Sequence, residues 1–135
     1  MALPYGPTID SEAAKRAAAA AIAEARLNGW AMAIAIVDPA GFLVYFEKMD
    51  DTQVGSVRVS IDKARSAALF KRPTKAFQDA LAAPGGVRVL GLRHAIASEG
   101  GLPLVSDGRI VGAIGVSGGT SEQDGQCAAA AARVI

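Results

Sequence analysis

The chain has 135 residues, 51% hydrophobic and 20% charged, which is enough apolar material for one compact domain over 1–135 and too little for two. Its 14 basic and 13 acidic side chains leave a net charge of +1, which excludes a broad basic face for nucleic-acid phosphates. One cysteine and one histidine exclude an internal disulfide and a four-ligand Cys/His zinc site; with no long uncharged apolar run and no signal-peptide plan, the expected compartment is the cytoplasm.

Pro4, Gly6 and Pro7 keep the first residues out of a helix and make them an arm on the surface or on a partner. Thr8 and Asp10 are N-cap candidates, and the Ala-rich run to Asn28 and Gly29 predicts a helix with a left-handed end. Trp30 to Val37 and Phe42 to Met49 read as strands joined by a type I turn, Asp38-Pro39-Ala40-Gly41. From Ser56 to Phe70 apolar positions recur at helical spacing, and Thr74 is expected to cap a short helix from Lys75 to Ala82.

Pro84-Gly85-Gly86 breaks the chain, and Val87 to Ile96 stays open between a short strand and an irregular connection. Leu102 to Val105 and Arg109 to Ser117 flank Ser106-Asp107-Gly108, a strong hairpin signal. Thr120 or Ser121 then caps a final helix from Glu122 to Val134. Hairpins grouped between helices predict an antiparallel sheet covered by helices, an α/β (α+β) class without strict parallel alternation.

Five segments together resemble one family: Val37-Asp38 with Gly41, Met49-Asp50, Lys63-Ala64, Gly100-Gly101-Leu102-Pro103, and Asp107-Gly108 running through Val111 to Gly118, followed by Gln123-Asp124. The chain resembles the GlcG/HbpS family of haem-binding-like proteins, also called the domain of unknown function 336 family, over nearly its whole length. The resemblance implies a profilin-like fold with a central antiparallel sheet of about five strands and homo-oligomers from dimer to octamer. It also implies a small-molecule ligand, with haem as the cofactor to consider.

The chemistry-bearing residues are few. Gly115-Val116-Ser117-Gly118-Gly119 matches the G-x-S-x-G elbow, but the only histidine, His94, precedes it, against the hydrolase order. Ser117, Gly118 and Gly119 instead suit close approach to an anionic ligand at the start of the last helix, or else a plain tight turn; Gly100 and Gly101 invite the same two readings. If both loops meet at one end of the sheet, they form a pocket rim.

Six basic residues between Arg58 and Lys75 against one acid make the one charge asymmetry, a steering surface or a solvated face. Lys63 and Arg65 are the ligand-binding candidates in it, Lys63 with its ammonium turned inward. Asp50, at a strand end, can pair with Lys63 as a structural ion pair or as an acid/base couple. Asp38 and Asp124 have structural roles available, as a turn residue and a first-turn helix anion. His94 is a candidate haem ligand or proton shuttle, and no other metal site is expected. Met49 and Cys127 read as core.

The expected function is a small-ligand accessory protein binding haem, a related tetrapyrrole or a planar carboxylated metabolite in a pocket completed by oligomerisation. The alternative is a cofactor-independent catabolic enzyme acting on an acidic intermediate through Asp50 or His94 with Lys63 or Arg65.

Overall fold

The computed structural model describes residues 3–135. The elements run α1 (Ser11–Asn28), β1 (Ala33–Val37), β2 (Leu43–Lys48), α2 (Gly55–Phe70), α3 (Thr74–Ala82), a 3-10 turn (Gly86–Gly91), β3 (Gly101–Ser106), β4 (Arg109–Ser117) and α4 (Ser121–Ala132). The strands form one antiparallel sheet in the order β2-β1-β4-β3.

Local signals set the element ends. Asp10 caps α1 by accepting from the Ala13 N–H at 2.8 Å, and Gly29 ends it at φ +74. In the first hairpin Asp38 Oδ1 accepts from the N–H groups of Ala40 and Phe42, at 2.9 and 3.0 Å. In the second, Asp107 and Gly108 both take positive φ, the requirement of a two-residue turn matched to strand twist. Thr120 and Gln123 form a reciprocal capping box on α4.

The sheet is buried on both faces, and what alternates along β1 and β4 is side-chain size. Ile34, Ile36, Ile114 and Val116 pack with the alanines of α1 and α4. Ala35, Val37 and Ala113 point the other way, onto Ala64, Ala67 and Ala68 of α2. Small residues on that second face let α2 lie very close: a Cβ on Gly115 would stand 2.5 Å from the Ala64 nitrogen. The result is three layers, with α1 and α4 on one side and α2 on the other.

Two expectations change. The sheet has four strands because Val87–Ile96 winds into the 3-10 turn and an irregular connection, with Val89 buried and Val87 and Leu90 exposed. The place of a further strand is taken in part by the N-terminal arm, where Tyr5 bridges Ile110 in parallel and the Tyr5 hydroxyl donates to the Ala68 carbonyl at 2.6 Å. Thr74 is the first residue of α3 and does not cap it; Pro73 stands at the cap. The buried Thr74 hydroxyl accepts instead from the Gly101 N–H at 2.9 Å, tying α3 to the start of β3.

Candidate functional site

Helix geometry divides the predicted site residues. At about 100° per residue, Lys63 and Arg65 lie roughly 200° apart on α2, so one helix cannot present both to one ligand. Lys63 turns inward and is 1% exposed. Its Nζ donates to the Val116 carbonyl at 3.0 Å and to Asp124 Oδ2 at 2.9 Å, an ion pair closed off from water. The other Asp124 oxygen accepts from the Gly119 N–H at 2.9 Å. Burial pushes the Asp124 carboxyl above its ordinary value, against the pull of Lys63 and the Gly118 and Gly119 amides.

The two glycine loops do meet, and they meet around this pair. The Gly100 carbonyl accepts from the Val116 N–H at 2.9 Å, and a Cβ on Gly100, at φ +133, would stand 2.9 Å from Lys63 Nζ. At Gly101 it would meet the Lys63 carbonyl at 2.5 Å, and at Gly119 the side chains of Met32 and Gln123. Ser117 is 5% exposed, and its hydroxyl donates to Ser56 Oγ at 3.1 Å, which also accepts from the Gln53 amide. Lys63, Gly100, Gly101, Ser117, Gly118 and Gly119 thus join Asp124 in a packed junction of α2, β4 and α4.

The expected Asp50–Lys63 pair does not form. Asp124 takes the ammonium, because α4 starts directly beside the end of β4, while Asp50 sits exposed in the turn after β2. Asp124 is therefore more than a first-turn anion.

Arg65 emerges on the other face of α2. With Asp62, His94 and Ile96 it lines a cleft of about 220 Å³. Its Nε lies 3.5 Å from the place of a Cβ on Gly41, under the first hairpin turn, and that buried nitrogen has no hydrogen-bond partner. Among the described residues no carboxylate stands within ion-pair distance of the guanidinium. His94 is exposed and held at φ +72, on a connection anchored where the Ile96 N–H donates to Ser66 Oγ at 3.1 Å. Asp62 and Ile96 were not singled out from sequence. Helical spacing places Asp62 one turn from Arg65, but nothing in the sequence sets Ile96 beside them.

A family model described as haem degrading protein HbpS-like matches residues 9–133. The chain belongs to this GlcG/HbpS family. It is 39% identical to protein GlcG of Escherichia coli strain K12 over 94 residues, covering 70% of this chain and 69% of that one. Among solved structures it is similar to HbpS, with TM-score 0.86 and 28% identity, covering 98% of this chain and 94% of the other. It is also similar to a PduOC:heme complex, with TM-score 0.85 and 26% identity over 95% of each chain. No described helix of this member is long and apolar enough to cross a membrane.

Proposed function

We propose that this family member is a cytoplasmic, noncatalytic accessory protein that binds haem, or a related planar carboxylated ligand, at the Arg65–His94 cleft. The observation that carries this reading is the cleft's guanidinium, whose buried Nε has no hydrogen-bond partner and which among the described residues forms no ion pair, not even with Asp62 on the same cleft wall. A ligand carboxylate supplies the charge-assisted bonds that this group lacks. The family description and the heme complex of a structural relative favour haem as that ligand.

The donor set suits haem in kind, because an imidazole can ligate iron and a guanidinium can hold a propionate. Bound haem would supply a redox-active iron, with His94 as the residue able to ligate it and Arg65 as the residue able to hold a propionate. In size the cleft falls short: about 220 Å³ is below the ~300–1,000 Å³ of sites that enclose such ligands. A second copy of the chain, closing over the cleft, supplies the missing walls. The acid/base enzyme reading loses its Asp50–Lys63 couple, because Asp124 takes the ammonium, and keeps His94 with Arg65, which line the same cleft.

Titration of the purified protein with haem, followed by absorbance, tests the reading. A saturable Soret band is expected, with Arg65→Ala weakening binding about tenfold and His94→Ala altering the spectrum. Unaltered binding and spectrum in both variants overturn the cleft assignment.

A further inference from the structure

The cleft beside α2 holds a second charge that the fold leaves unanswered. Asp62 and Arg65 stand three positions apart, about 60° around the helix, so both reach the same side of it. Opposite charges at this spacing commonly pair, yet among the described residues Asp62 forms no ion pair, either with Arg65 or with Arg58 one turn earlier. Arg65 is drawn under the first hairpin turn instead, where its Nε is buried beside Gly41 without a partner. One wall of the cleft therefore carries an anion and a cation side by side, neither neutralised by the other. The opposite wall is His94 and Ile96, on a connection that the Ile96 N–H ties to Ser66 Oγ at 3.1 Å.

These four side chains define their complement. Arg65 calls for a carboxylate, and Asp62 for an N–H or O–H donor close to it on the same edge of the ligand. An edge that bears carboxylates alone sets one of them against Asp62. At about 220 Å³ the cleft lies below the ~300–1,000 Å³ of sites for larger ligands and suits one or two fused rings with no wall added. On the reading of this cleft as the ligand site, we propose that its occupant is a small planar heteroaromatic acid with a ring N–H next to its carboxylate. The Arg65 guanidinium holds the carboxylate, Asp62 accepts from the ring N–H, and the ring lies between α2 and the His94–Ile96 wall. Simple aromatic acids satisfy Arg65 but leave Asp62 facing an atom that cannot donate, so the second bond is the one that selects.

Calorimetric titration of the apo protein with indole-2-carboxylate tests this, beside benzofuran-2-carboxylate, in which a ring oxygen replaces the N–H, and indole, which lacks the carboxylate. One indole-2-carboxylate per chain is expected, bound about tenfold tighter than either analogue. Arg65→Gln is expected to weaken both acids and leave indole unchanged. Asp62→Asn is expected to bring the two acids within about twofold of each other, with circular dichroism unchanged, because an amide can turn its oxygen to the N–H or its nitrogen to the ring oxygen. Equal binding of the two acids by the wild type overturns the proposal, as does a preference that survives Asp62→Asn, or no binding of either acid at millimolar concentration. Should Asp62→Asn not fold, the wild-type comparison decides. Where the proposal falls, haem binding that still depends on Arg65 keeps the cleft and removes only this ligand, whereas haem binding indifferent to Arg65→Ala and His94→Ala removes both.

Discussion

Lys63 Nζ lies 2.9 Å from Asp124 Oδ2, a bond that spans 61 positions and pins α2 to α4 through the end of β4. Both groups are almost wholly out of water, so neither tolerates the loss of the other. Lys63→Ala and Asp124→Ala are each expected to cost about 3–5 kcal/mol. In Lys63→Met/Asp124→Leu no buried charge is orphaned, and the loss is expected to be smaller than the sum of the singles. Urea unfolding of the four proteins checks this.

Close contact between α2 and β4 gives a second expectation. Gly115→Ala drives a methyl group into the Ser60 carbonyl and toward the Ala64 nitrogen, both backbone atoms of α2. The helix must lift, at a cost of about 3 kcal/mol or the loss of folding. Gly55→Ala meets nothing within 4 Å at the first residue of the same helix and is expected to hold stability or raise it by up to ~1 kcal/mol. Thermal melts should show Gly115→Ala lowered and Gly55→Ala unchanged or raised.

Burial pushes the Cys127 thiol from an ordinary value of 9.0 up to about 12, with Glu24 and Asp124 acting in the same direction. The folded state therefore favours the neutral thiol. Its contribution is fully present below the unfolded pKa and is lost as pH rises from there toward about 12. Native protein should resist a thiol reagent at pH 8 and react once unfolded. Cys127→Ala should flatten the decline in stability above pH 9, as read by urea titration at several alkaline pH values.

Ser117 is held inside the fold by its bond to Ser56, and His94 lies in the Arg65 cleft on the far side of α2 from that junction. Among the described residues the Ser117 hydroxyl donates only to the Ser56 hydroxyl, which is no general base. A fluorophosphonate probe is expected to leave the protein mass unchanged, and a single adduct at Ser117 would refute this placement.

Much of the fold was legible in short-range chemistry. Asp38-Pro39-Ala40-Gly41 and Asp107-Gly108 specify their own turns, and Asp10, Gly29 and Thr120 end or begin helices through groups within a few residues. Thr74 misled because its hydroxyl finds Gly101, 27 positions away, and no local pattern carries that. The same holds for Asp124, whose first-turn position is adequate to explain it until tertiary packing delivers Lys63. The glycines of the two loops were read for their conformational freedom, whereas at Gly101 and Gly115 it is the backbone of α2 pressed against them that excludes a side chain. Arg65 and Lys63, two positions apart, could have been separated from sequence by helical angle alone.

That separation assigns α2 two independent inheritances. Its inner face, with Ser60, Lys63, Ala64 and Ala67, is fixed by contacts to the sheet, and a change there is felt by the whole molecule. Its outer face contributes Asp62 and Arg65 to a cleft whose other walls are a single imidazole and a single isoleucine on an irregular connection. On the proposed cleft assignment, selection can rewrite those four positions, and with them the ligand, while the scaffold stays still. Chains that share this architecture can therefore diverge in what they carry without diverging in how they fold.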